Sequence, residues 1–193
     1  MRVISGIFRK IKLKTIKAPF LRPSSAILKE ALFNMIGEDI FGTKMLDLFA
    51  GTGAVGIEAL SRGANFVTFV EKHKPTVKVL YENLSRLQVK KNTQVLCLDA
   101  FYALKKLAKE KKMYDFIFID PPYELYEKNT SFLFSMLSEI EKKRLTVDGG
   151  VVFVECPVLK KDKKKRIPLH FLEKKAKKFG RSCLLHYIYD QNL

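Results

Sequence analysis

Four consecutive residues, Asp120-Pro121-Pro122-Tyr123, place an acid, two rigid residues and an aromatic ring directly after the apolar run Phe116 to Ile119. Proline fixes φ and has no amide hydrogen, so two in a row make a stiff turn whose carbonyls hold their direction. Asp120 and the Pro121 carbonyl are acceptors suited to the hydrogens of an exocyclic amine on a base. Such an amine is a weak nucleophile because its lone pair is delocalised into the ring. Accepting its hydrogens favours a pyramidal nitrogen, aims the lone pair at an electrophilic methyl group and gives the released proton a route. Tyr123 adds a flat face for stacking an extruded base. The plain alternative, a strand-ending turn with a core tyrosine, stays open on these four residues alone.

A second group begins at Met45, where MLDLFAGTGAVGIEAL holds Gly51, Gly53 and Gly56 in a G-x-G-x-x-G pattern behind a strand-like run. The glycines let a nucleotide approach the backbone, and the usual occupant is a dinucleotide. Asp47 speaks against that occupant. A carboxylate at the strand end repels a pyrophosphate unless it is turned away or neutralised, and it suits the ammonium and sulfonium of S-adenosylmethionine, which has no phosphate. Glu71, ending FVTFVE, is placed to accept both ribose hydroxyls, a device that NAD-binding folds share. Asp99 closes QVLCLD and is a candidate for the adenine amino group, with Ala100 and Phe101 packing on the ring. No G-K-[ST] follows the glycines, which removes a P-loop. Ser24 has two readings: a simple helix N-cap, or a hydroxyl that joins nearby amides in binding the donor carboxylate.

These groups need a scaffold that brings strand ends together. From Met45 onward strand-like and helix-like segments alternate, which predicts a parallel α/β sheet wound with helices on both faces. The expected strands are KMLDLF, FVTFVE, QVLCLD, DFIFID and GVVFVEC, with SCLLHYIYD as the last. Helices are expected from about Gly53 to Arg62, then over PTVKVLYENLSRL, FYALKKLAKEKK and NTSFLFSMLSEIEKKR, and around LHFLEKKAKKF. Before the sheet, SSAILKEALFNMIG carries Ile27, Leu28, Ala31, Leu32, Met35 and Ile36 on one helical face, ending at Gly37. Residues 1–23 read as a basic arm or strand pair, and 24–193 as the main domain.

A chain of 193 residues with 47% hydrophobic and 29% charged content is long enough for one such domain and is not composed like a disordered segment. No apolar run suggests a membrane span, and the start lacks a secretory h-region, so a soluble cytoplasmic protein is expected. The three cysteines lack C-x-x-C spacing and, with three scattered histidines, suggest no metal site. The formal charge of +16 predicts attraction to a polyanion, foremost nucleic acid. It is concentrated at the ends: Arg9, Lys10, Lys12, Lys14 and Arg22 in the first arm, and Lys160 to Arg166 with Glu173 to Arg181 near the end.

Taken in order, RPSS, KEALFN, DLFAGTGAVGIEALSRGA, FVEK, ENLSRL, FIFIDPPY and GGVVFVE resemble the bacterial RsmD family, which methylates the exocyclic N2 of one guanine in 16S ribosomal RNA. The resemblance implies a class I methyltransferase fold (Rossmann-like), a seven-stranded sheet with an antiparallel last strand, and a 16S rRNA substrate presented in an assembling small subunit. It adds Ala50 and Lys72 to the donor-binding candidates, and a monomer is expected. Ala26 and Ile27 stand where the family usually has Asp-Arg, and Lys29 replaces a common arginine, which bears on RNA or helix contacts. Two competing functions remain: an adenine N6 methyltransferase on RNA or DNA, and a noncatalytic RNA-binding assembly factor. The short chain speaks against the DNA enzyme, which normally needs an added recognition domain.

Overall fold

The computed structural model describes residues 1–16, 26–128, 131–158 and 168–193; Arg22, Ser24 and the basic run at 160–166 lie outside the described residues. The chain divides into two compact units, Met1–Ala100 and Phe101–Leu193. Its seven strands belong to one mixed sheet.

In the first unit, α1 (Ala26–Ile36) buries Leu28, Ala31, Leu32 and Ile36, the apolar stripe visible in its sequence. Strands β1 (Lys44–Leu48), β2 (Phe66–Val70) and β3 (Thr93–Leu96) run parallel in the order β3-β2-β1. Helices α2 (Ala54–Ser61) and α3 (Lys74–Arg86) form the crossovers. Parallel strands covered on both faces lose the in-out alternation, and β1 and β2 are accordingly buried almost throughout, including Thr68. Their carboxyl ends therefore stop together, Leu48 beside Val70 and Val70 beside Leu96. The expected N-terminal strand pair reduces to a single bridge, Arg2 with Lys12. Val3 and Leu13 are buried, while the amides of Ile4 and Ser5 donate to Glu58 on α2.

The second unit contains β4 (Tyr114–Ile119), α5 (Tyr123–Lys128), α6 (Phe132–Lys142), β5 (Thr146–Pro157), β6 (Phe171–Phe179) and β7 (Ser182–Tyr189). Its strand order is β4-β5-β7-β6; β4 and β5 are parallel, and β7 is antiparallel to both neighbours. Helix α4 (Ala100–Lys109) begins at the boundary of the two units. The helix expected around LHFLEKKAKKF is corrected: Phe171–Phe179 is the strand β6, paired along its length with β7. Gly180, at φ 59, and Arg181 form a two-residue link that returns the chain antiparallel. The short α5 was not anticipated. Among the described residues no helix is long and apolar enough to cross a membrane.

Candidate active site

The glycine loop is built by backbone geometry that few side chains permit. After β1 the chain passes through Phe49 at φ 64, Gly51 at φ 55 and Gly53 at φ 89, the last serving as N-cap of α2. A Cβ at Gly53 would lie 2.4 Å from Leu80 Cδ1, so both conformation and space call for glycine. At Gly56 the constraint is packing: a Cβ there would sit 2.3 Å from the Phe69 ring, so glycine lets α2 close onto β2. Ala50 N–H donates to the Val70 carbonyl at 2.9 Å, tying the loop to the neighbouring strand end. From α3, buried Asn83 donates 3.0 Å bonds to the Thr52 and Lys14 carbonyls and accepts the Lys14 N–H at 2.9 Å. One amide side chain thus joins the glycine loop to the N-terminal arm.

Asp47 lies near the carboxyl end of β1, as the sequence suggested, but its side chain is turned into the fold. It is 2% exposed, and its Oδ2 accepts the Gly56 N–H at 2.9 Å. Burial pushes its carboxyl up to about 7; the Gly56 hydrogen bond opposes this and Glu71 adds to it. Turned onto Gly56, the carboxylate meets the exception that the sequence left open, so repulsion of a pyrophosphate no longer decides which nucleotide the loop takes. Asp47 occupies an amide in the first turn of α2, where an anion-binding helix would offer its N–H groups to phosphate.

Glu71 follows β2 and is 9% exposed. Its Oε2 accepts Gly51 N–H at 3.1 Å and its Oε1 accepts His73 N–H at 2.8 Å. Together with Phe49, Val70, Lys72, Leu98 and Ala100 it lines a recess, mostly apolar with one carboxylate at the strand end. The anticipated Glu71, Lys72 and Ala100 are thus brought together. Phe49, Val70 and Leu98 were missed, and Phe49 is notable because a bulky residue at positive φ marks stored backbone strain. Asp99 is exposed just before α4, and Phe101 lies edge-on to Phe132 on α6, with ring centroids 6.0 Å apart.

The recess sets apolar walls beside a carboxylate that two backbone amides hold in place. Glu71→Ala should weaken S-adenosylmethionine binding by about 2–3 kcal/mol, the scale for hydrogen bonds to a charged acceptor. Calorimetry on the folded variant measures this, and unchanged affinity would remove Glu71 from the donor site. Glu71→Gln, which keeps one carbonyl acceptor, should fall between alanine and the parent.

In the second unit, β4 ends at Ile119 and Asp120 follows, half-buried, with Pro121 buried behind it. The Pro122 carbonyl accepts Leu125 N–H at 3.0 Å, which locks the turn into α5. Tyr123 opens α5, and its hydroxyl hydrogen-bonds the Ser182 hydroxyl at the start of β7. One turn on, Tyr126 donates from Oη to the Glu155 carbonyl at 2.9 Å. Burial above all holds the Tyr126 phenol well above its usual range, so it stays a donor. Side-chain hydrogen bonds thus tie both ends of the aromatic part of this turn to β5 and β7.

Arg9, Lys10 and Lys12 are exposed. Lys14 forms a 2.9 Å ion pair with Glu82 on α3. Lys29, which stands where the family commonly has arginine, is 1% exposed in an ion pair with Glu58, so its contact is inside the fold. Among the described residues no group of three or more His, Cys, Asp or Glu is placed to hold a metal ion.

Comparison with known proteins agrees with this architecture. The chain is 40% identical over 152 residues to the putative rRNA methyltransferase YlbH of Bacillus subtilis, covering 79% of this chain and 80% of that protein. It is 32% identical over 158 residues to the ribosomal RNA small subunit methyltransferase D of Escherichia coli, covering 82% and 75%. The solved putative methyltransferase yhhF of Escherichia coli superposes with a TM-score of 0.85 at 27% identity, over 98% of each chain. Since the family described as Conserved hypothetical protein 95 matches residues 1–188, the chain belongs to that family, the one that includes the RsmD-type methyltransferases.

Proposed function

We propose that this protein transfers a methyl group from S-adenosylmethionine to the exocyclic N2 amine of a guanine in small-subunit ribosomal RNA, within an assembling 30S particle. The observation that carries the reading is the braced Asp120-Pro121-Pro122-Tyr123 turn following β4. The names of the relatives, rRNA methyltransferases among them, support the substrate class. The donor, when bound, supplies an electrophilic methyl on sulfur. Glu71 holds the ribose hydroxyls, and Phe49, Leu98 and Ala100 pack the adenine. Asp120 accepts hydrogen from the target amine and the Pro121 carbonyl takes the second, so the nitrogen lone pair faces the methyl group. Tyr123 stacks the extruded base with its ring direction set by Ser182, and Arg9, Lys10 and Lys12 bind RNA phosphates.

The test is product identity. Labelled donor is incubated with undermethylated small subunits and, separately, with naked 16S rRNA, and the RNA is digested to nucleosides. Label in N2-methylguanosine is the expected result. Label in N6-methyladenosine would convert the reading to the adenine enzyme, which the same turn would serve. No transfer to either substrate by a protein that binds donor would leave an RNA-binding assembly role.

A further inference from the structure

The hairpin of β6 and β7 carries charge that the reaction, as described, does not use. β6 pairs only with β7 and ends the strand order of its unit, so its outer edge has no neighbouring strand among the described residues. Residues opposite each other in an antiparallel pair share a face of the sheet. The register sets Lys175 opposite His186, Lys177 opposite Leu184 and Phe179 opposite Ser182, so these six side chains share one face. Ser182 on that face is the hydroxyl that holds Tyr123. Lys178, opposite Cys183, belongs to the other face, and Lys174 lies in the irregularity between Glu173 and Lys175.

Every lysine of β6 is exposed. Lys177 Nζ is 5.4 Å from the Phe179 ring centroid, so the ammonium leans along the strand toward the end that holds Tyr123. His186 stacks on Phe153 with ring centroids 4.9 Å apart. Burial, then Lys175 and Lys174, hold its imidazole below the usual histidine range, so at neutral pH it adds no charge of its own. The acid of β5 on this face, Glu155 opposite Leu184, is buried. The accessible charge of the face is therefore its two ammonium groups. Alternate residues of a strand are about 6.8 Å apart, close to one nucleotide step of an extended strand.

We infer that this hairpin face binds the phosphates of the RNA strand flanking the target base, Lys175 and Lys177 each taking one phosphate while Tyr123 takes the base. The inference rests on the RNA reading given above. Lysines also discourage strand addition at an open sheet edge. That role needs charge anywhere along the edge and does not depend on which face carries it, whereas phosphate docking requires the face that bears Ser182.

The experiment compares two full-length double variants, Lys175→Gln with Lys177→Gln, and Lys174→Gln with Lys178→Gln, in binding a fluorescein-labelled single-stranded RNA across a salt series. Loss of two phosphate contacts lowers the magnitude of the log–log salt slope by about 1.4, at about 0.7 per phosphate for single strands. The first variant should show that drop and a raised KM for RNA with kcat nearly unchanged, and the second less than half of it. Donor affinity by calorimetry should equal the parent's in both. A parental slope in the first variant, or equal losses in the two, overturns the inference. Sedimentation with phosphatidylserine vesicles supplies the other polyanion: vesicle binding that depends on Lys175 and Lys177 while the RNA slope does not would make this a membrane surface and overturn it as well. Product identity is measured separately. A Lys175- and Lys177-dependent slope without methylguanosine would therefore keep the surface and sink the guanine reading, and methylguanosine with an unchanged slope would do the reverse.

Discussion

Asp120→Ala should lower single-turnover methyl transfer by about 100-fold or more while donor and RNA affinities stay near those of the parent. The magnitude is the one expected when a positioned hydrogen-bonding or acid-base group is removed, and 100-fold corresponds to about 2.7 kcal/mol of barrier. The surroundings make the variant interpretable. Asp120 stands just outside β4, half-buried, and bonds from Pro122, Tyr123 and Tyr126 brace the turn after it. Asp120→Asn then separates two roles. Asparagine keeps a carbonyl acceptor in the same place but cannot act as a base at neutral pH. Substantial activity in the asparagine variant would mean that orientation of the amine dominates and the proton leaves to water. Loss equal to alanine would mean that the carboxylate charge is needed. Full activity in both, with chemistry shown to be rate-limiting, would reduce Asp120 to the residue that ends a strand.

Motifs whose meaning lies in local chemistry were legible in the sequence. The glycines at 51, 53 and 56 specify a loop because positive φ at the first two and close packing at the last two disfavour side chains. The alternation of apolar strands and amphipathic helices gave the wound sheet for the same reason. β6 escaped because it is an edge strand exposed on both faces: from Glu173 to Lys178 no residue is buried, so the period-two signal of a half-buried strand never appears. The usable cue was Gly180 in a two-residue link between two runs of hairpin length. Asp47 illustrates another limit. Its strand neighbours Leu46 and Leu48 are both fully buried, so no alternation told which way the carboxylate points. Phe49 carried no signal, because its place in the recess follows from a positive φ that nothing in its residue type announces.

Contacts between distant segments formed the largest illegible part, and the Glu58 cluster gives the second large expectation. Glu58 is 0% exposed and accepts Lys29 Nζ at 2.8 Å, Arg62 Nε at 3.0 Å, and the amides of Ile4 and Ser5 at 2.8 and 2.9 Å. Lys29, itself 1% exposed, has as its other partner the Arg2 carbonyl at 2.9 Å. Burial alone would raise the Glu58 pKa. The bonds from Lys29, Ile4 and Arg62 outweigh it and set the group below the usual carboxylate range. The sign follows: a depressed folded pKa contributes stability above the unfolded value, and that contribution is lost as pH falls through the folded pKa. Glu58→Ala strands the Lys29 ammonium and two arm amides, and should cost about 3–5 kcal/mol at neutral pH, a large share of a typical domain's stability. Denaturant unfolding measures it, and the loss should shrink in acid. Lys29→Met combined with Glu58→Leu removes both charges and should recover much of the stability. It gives the Ile4 and Ser5 amides no acceptor, however, so hydrogen exchange at those two residues should stay fast in the double variant. A cost below about 1 kcal/mol for Glu58→Ala, the range of an exposed pair, would show that this cluster does not hold the arm, and with it Arg9, Lys10 and Lys12, against α2.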